Sequence, residues 1–205
     1  MRPTRALGAA VCLGWVQPTA IAGDTAPTLI WAESQAPATL HPLYAISARD
    51  RRALAPTYPP LARPHGADWH HPILTDVHWS AGQVQVEVRP GTRFHDGRKV
   101  TASHLCQTVD VLKRSPSDLS ARIGPLIRDC SADPKHPRRA TLELSVASDD
   151  PMWGALAFPL LPTHLEGDLA EPNHPLAHEP NGTGPWRAKP HEGGIHYPPF
   201  EGNFA

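Results

Sequence analysis

Proline constrains this chain more than any other residue type. There are 25 prolines among 205 residues, about twice the ~5% share usual in proteins, and they crowd into 56–72 and 159–199. Each one locks φ and removes a backbone donor, so neither stretch can form a long helix. Both are expected to be extended or turning connections, and 55–72 is expected to wander over the surface. Regular structure is therefore sought mainly between them.

There the pattern is legible. Val84, Val86 and Val88 alternate with Gln85 and Glu87, a period of two that marks a strand with one wet and one buried face. Ile73 to Trp79 runs up to the turn Ser80-Ala81-Gly82 and supplies the other arm of a hairpin. Arg89-Pro90-Gly91-Thr92 makes a further turn, with proline presetting φ and glycine free to take positive φ. A helix begins at Thr101, a good N-cap residue. Leu105, Val109 and Leu112 fall at i, i+4 and i+7 on one stripe, and Ser115-Pro116 ends it. His104 stands at N3, where a capping box would have Glu or Gln. Leu142, Leu144 and Val146 read as another strand. Asp150-Pro151 opens a short apolar helix through Phe158. Gly184 to Ala188 and Ile195 to Tyr197 read as two strands around Glu192-Gly193-Gly194, and Thr28 to Ala32 as a buried strand near the start. Strands and helices mix without strict alternation, which gives an α/β or α+β class.

The first residues look like an export leader. Arg2 and Arg5 precede the apolar run Ala6 to Val16, and Ala20-Ile21-Ala22 offers small residues before a cut at Gly23. Residues 1–22 are thus expected to be removed and 23–205 to form one domain outside the cytoplasm, in the periplasm. Cleavage would discard Cys12 and leave Cys106 and Cys130. An even count in an oxidising compartment permits a bridge, with two buried thiols as the alternative. The net charge of -1 carries no nucleic-acid footprint.

No catalytic constellation emerges. Asn181-Gly182-Thr183-Gly184 lacks the lysine and the following helix of a phosphate cradle and reads as a tight turn entering a strand. The 13 histidines raise a metal hypothesis, and His70-His71 with His78 is the densest cluster. Adjacent histidines on a strand point to opposite faces, and neither HExxH nor CxxC occurs. Solvated surface histidines are the expectation, with no metal site, no cofactor and no enzymatic activity.

Two segments carry a family signature. The run Val88-Arg89-Pro90-Gly91-Thr92-Arg93-Phe94-His95-Asp96-Gly97, continuing to Thr101, resembles a signature of the family 5 extracellular solute-binding proteins. These are the oligopeptide, dipeptide and nickel receptors of ABC importers. Asn181-Gly182-Thr183-Gly184-Pro185-Trp186 resembles a second turn of the same family. Leu40-His41-Pro42 and Leu161-Pro162-Thr163-His164 are fainter echoes in the right order, with His41 where the family usually has Asp.

The resemblance implies an α/β, periplasmic-binding-protein-like first lobe of the class II type, with a mixed sheet and flanking helices. Family members run to about twice this length or more, so the second lobe is expected to be absent and the chain to be a truncated or shortened receptor. It implies a monomer that binds a peptide or a related small solute and serves an ABC permease. An exported scaffold built on one lobe and a nickel or metal-chelate receptor are the alternatives. The signature residues themselves are expected to be scaffolding, with Phe94 packed inward. In open α/β sheets ligands sit beyond the carboxyl ends of strands, which makes Glu33, Ser34 and Gln35, leaving the first strand, the candidate ligand contacts.

Overall fold

The computed structural model describes residues 35–148 and 151–202. The Thr28–Ala32 strand, Glu33, Ser34 and the leader lie outside the described residues. In chain order come α1 (Ala48–Leu54), a small hairpin of β1 (Arg63–His65) and β2 (Asp68–His70), and a larger one of β3 (Leu74–Ser80) and β4 (Gln83–Val88). Then follow α2 (Ala102–Arg114), α3 (Asp118–Ile123), β5 (Ile127–Ala132), β6 (Arg139–Leu144), and a last hairpin of β7 (Lys189–His191) and β8 (Gly194–His196).

The centre is a four-stranded sheet of order β3-β4-β6-β5, antiparallel at every ladder. Its inner face follows from the alternation. Val84 pairs with Leu142 and Val86 with Ala140, and all four are buried, whereas Gln83 and Gln85 face solvent. α2 closes that face with Leu105, Val109 and Leu112, each almost fully buried. Sealing a Leu or Val from water is worth roughly 1.5–3 kcal/mol, so this stripe and the facing valines form the main cohesive unit. A disulfide joins Cys106 of α2 to Cys130 of β5, with Cα atoms 5.1 Å apart.

At the start of α2 the Thr101 N–H donates to His104 Nδ1 at 3.2 Å. An unprotonated imidazole nitrogen thus replaces the carboxylate of a capping box. The helix ends at Ser115, before Pro116.

Around this unit the two proline-rich stretches behave differently from expectation. Of residues 55–72 the part from 63 to 70 is the exposed β1–β2 hairpin, as a surface connection should be, but the part up to Ala62 does not wander over the surface. Tyr58, Leu61 and Ala62 are buried, because Leu61 N–H donates to the Phe158 carbonyl at 2.9 Å and Ala62 N–H to the Leu156 carbonyl at 3.0 Å. The donors that proline leaves behind are satisfied by a second extended segment. That pairing also explains why the expected helix through Phe158 shrinks to one 3₁₀ turn, Trp153–Leu156. Its next carbonyls are committed outward. The strand expected at 195–197 is found one residue earlier as β8, whereas the strand expected at 184–188 is corrected. Gly184 N–H donates to Thr57 carbonyl (2.9 Å) and Trp186 N–H to Pro56 carbonyl (3.3 Å), so 184–188 rides on residues 56–57 and the hairpin forms later, at β7–β8.

Candidate functional site

Gln35 is exposed, and its Oε1 accepts from the Arg49 guanidinium at 2.6 Å. It opens a groove of about 870 Å³ whose near wall is the segment 35–40 and whose far wall is the β7–β8 hairpin. The near wall is fixed by Asp50, which caps α1 together with Ser47 and accepts from the Ala38 N–H at 2.9 Å. These hydrogen bonds hold the Asp50 carboxyl below its usual range against the opposing effect of burial, the largest single influence on it. Leu40, Tyr44 and Tyr197 supply apolar surface, and Thr39, Asn173 and His178 supply polar groups. Tyr197 is anchored by donating to the Ala53 carbonyl at 2.7 Å.

The far wall has a backbone feature. His191 pairs with Gly194 across the two-residue turn, Pro190 with Ile195, and Lys189 with His196. Residues of an antiparallel ladder alternate between hydrogen-bonded and non-bonded pairs, and Pro190 has no N–H to give. Ile195 therefore occupies the non-bonded position, with its own N–H and carbonyl directed to the outer edge of β8. Among the described residues no other strand pairs with β8, and Ile195 lines the groove.

The two signature segments meet nearby. Phe94 is fully buried. Gly91 and Gly97 take φ of 83° and 89°, as turn glycines should. His95 N–H donates to the Gly182 carbonyl at 2.9 Å, and its Nε2 contacts the Gly184 carbonyl at 2.9 Å. Asn181 donates through Nδ2 to Asp96 (2.9 Å), which also holds His164 Nε2 at 2.5 Å. Asn181-Gly182-Thr183-Gly184 is thus not a tight turn entering a strand. It is a buried run pressed on residues 56–58, where a Cβ at Gly182 or Gly184 would meet a carbonyl oxygen at 2.0 Å. The scaffolding role expected of the signature residues assigned Asp96 no side-chain contact. The signal was an acidic residue in one signature and an amide in the other.

The histidines correct another expectation. His41, His95 and His174 are buried, and the His71 ring stacks on Trp153 at 5.2 Å. Burial lowers the His41 pKa to about 4, with the neighbouring His174 adding to it. Burial also lowers His95 to about 4, against the opposing effect of the Gly184 hydrogen bond. Both rings are neutral at pH 7. Among the described residues no three His, Cys, Asp or Glu side chains are grouped to hold a metal, and no helix is long and apolar enough to cross a membrane.

No family model matches the chain, and no curated protein does. Solved structures do. The oligopeptide-binding protein AppA from Bacillus subtilis, solved with a nonapeptide, superposes with a TM-score of 0.72 at 18% identity over 82% of this chain. The fold is that of a solute-binding protein. The ABC transporter substrate-binding protein CtaP from Listeria monocytogenes gives 0.68 at 18% identity. NikZ from Campylobacter jejuni, solved with Ni(L-His), gives 0.65 at 19%. Coverage of those chains is 35%, 36% and 34% respectively, so this chain spans about a third of the solute-binding proteins it matches. The groove at Gln35 is lined by Leu40, Tyr44 and Tyr197 and by Ile195 of β8.

Proposed function

We propose that the chain is the first lobe of an exported solute-binding protein that captures a peptide or a related small solute for an ABC permease. The observation that carries this reading is the groove beside Gln35, lined by Ile195 of β8, a strand whose other side has no partner among the described residues. Extended peptides are held by adding their main chain to a free strand edge, with pockets taking the side chains. The groove supplies the edge and the pocket walls together. The reading is supported by the likeness to a protein solved with a nonapeptide. Glu33 and Ser34 belong to the same proposal as the residues leading into Gln35, and residues 1–22 as a leader removed on export.

The test is ligand-induced stabilisation. Peptides of graded length at about 1 mM should raise Tm, since for a Kd of about 10 μM that is 100 times Kd and adds about 2.7 kcal/mol. Ni–histidine chelates serve as the parallel arm. No shift with any peptide length would overturn the peptide reading, and a shift with the chelate alone would replace it.

A further inference from the structure

One end of the central sheet is strongly basic, and solute capture in the groove makes no use of it. Three loops converge there. Arg89 and Arg93 flank the Pro90-Gly91 turn and Arg98 and Lys99 follow the turn at Asp96-Gly97, while a bridge pairs Arg93 with Lys99 and brings both turns together. The loop before β6 adds Lys135, Arg138 and Arg139, and is stitched alongside by the Val88 N–H on the Arg138 carbonyl (2.9 Å) and the Ala102 N–H on the Pro137 carbonyl (2.8 Å).

Three of the carboxylates among them are spoken for. Glu87 holds Arg138 and Arg139 at 2.9 and 3.0 Å. Asp133 holds His136 at 2.8 Å, and Asp96 holds His164 at 2.5 Å. With Asp76, which lies across the ladder from Glu87, seven Arg and Lys side chains thus meet four carboxylates, three of them paired. α2 begins at the same end with no acidic residue in its first turn, so its positive pole adds to the field. At the opposite end of the sheet the Ser80–Gly82 turn and residues 145–148 contain no Lys or Arg, and of the cations nearby Arg128 is paired with Glu143 and Lys113 donates to the Arg128 carbonyl.

The form of the patch selects its partner. The cations line none of the larger grooves, so no small anion is enclosed. Protein interfaces have an apolar centre, but the exposed large apolar side chains among the described residues are Ile46 and Val146, and neither is in these loops. An array of cations on short turns, without an apolar centre, matches a layer of negative charge that is wide and needs no pocket. We infer that this end of the sheet docks on the anionic phospholipid head groups of a membrane surface, through Arg89, Arg98, Lys99 and Lys135 above all.

Vesicle flotation of the full chain tests this. Phosphatidylcholine vesicles containing about one third phosphatidylglycerol should float the protein at low salt, and pure phosphatidylcholine vesicles should not. Raising salt to about 0.5 M should release it, because screening then acts within a few ångströms. The triple variant R98E/K99E/K135E should bind about tenfold or more weakly, with an unchanged circular dichroism spectrum, while Arg122→Glu on α3 should bind as the parent does. Equal binding to both vesicle types, or full binding by the triple variant, would overturn the inference. Capture on polyglutamate beads without any flotation would also overturn it, and would assign the patch to an acidic protein.

Discussion

A methyl group added at Gly184 would lie 2.0 Å from the Pro56 carbonyl oxygen, and backbone cannot yield as a side-chain tip does. At Gly91 the surroundings are empty, and the constraint is the φ of 83°. The two glycines therefore separate two physical causes. Gly184→Ala should lower stability by about 3 kcal/mol through overpacking. Gly91→Val should cost about 1–2 kcal/mol through left-handed strain alone. Urea titrations of both variants measure the difference, and a larger loss at Gly91 would contradict this account. Gly91 was legible in the sequence because its turn is local. Gly184 was misread as a turn because its crowding comes from residues about 130 positions earlier.

Among the elements, the β3–β4 hairpin and α2 were readable because a period of two and a stripe of i, i+4, i+7 are written in adjacent residues. The Cys106–Cys130 bridge ties that helix to β5. Replacing both cysteines by alanine should remove about 3 kcal/mol, the loop-closure contribution for a separation of this size, and thermal denaturation reads it directly. The helix expected after Pro151 fails for a reason no local pattern contains, namely that its carbonyls are taken by Leu61 and Ala62. Of the candidate ligand contacts, only Gln35 falls within the described residues. In the far wall β8 and its turn were foreseen, but β7 was placed too early, at 184–188, because three residues containing a proline are too short for alternation to register. Ile195→Pro would delete the outward N–H of that edge and should weaken peptide binding about tenfold, the scale of one hydrogen bond. Ile195→Val should bind as the parent does, which calorimetry can check. Equal affinity of the proline variant would place the peptide elsewhere.

At the scale of the whole molecule, buried neutral histidines set the response to acid. His41 and His95 titrate near 4 in the folded chain against 6.5 ordinarily, so the unfolded state binds more protons between those values. Their contribution is complete above about pH 6.5, falls as pH drops towards 4, and levels off below it. The loss should be about 3 kcal/mol for each ring, at about 1.4 kcal/mol per pKa unit. Asp50 and Asp96, whose pKa values are lowered, add their losses only below the ordinary aspartate range. His41 Nδ1 accepts from the Leu43 N–H at 3.2 Å, a bond asparagine can replace. His41→Asn should therefore flatten about half of the slope between pH 6.5 and 4, measured as urea midpoints. An unchanged slope would show that His41 titrates normally in the fold.

The seat that Pro56 and Thr57 make for residues 184–188 has a further consequence in time. A chain delivered from its N-terminus has the socket early and the plug very late, with Ala188 reaching back to Thr57 Oγ1 across 131 positions. Until that stretch arrives, Tyr58 lacks its partner Asn181, and the surroundings of Leu61 stay unfinished. Closure of so long a loop is slow, so the newborn polypeptide should pass through a period in which greasy surface is bare and a holding chaperone has something to grip.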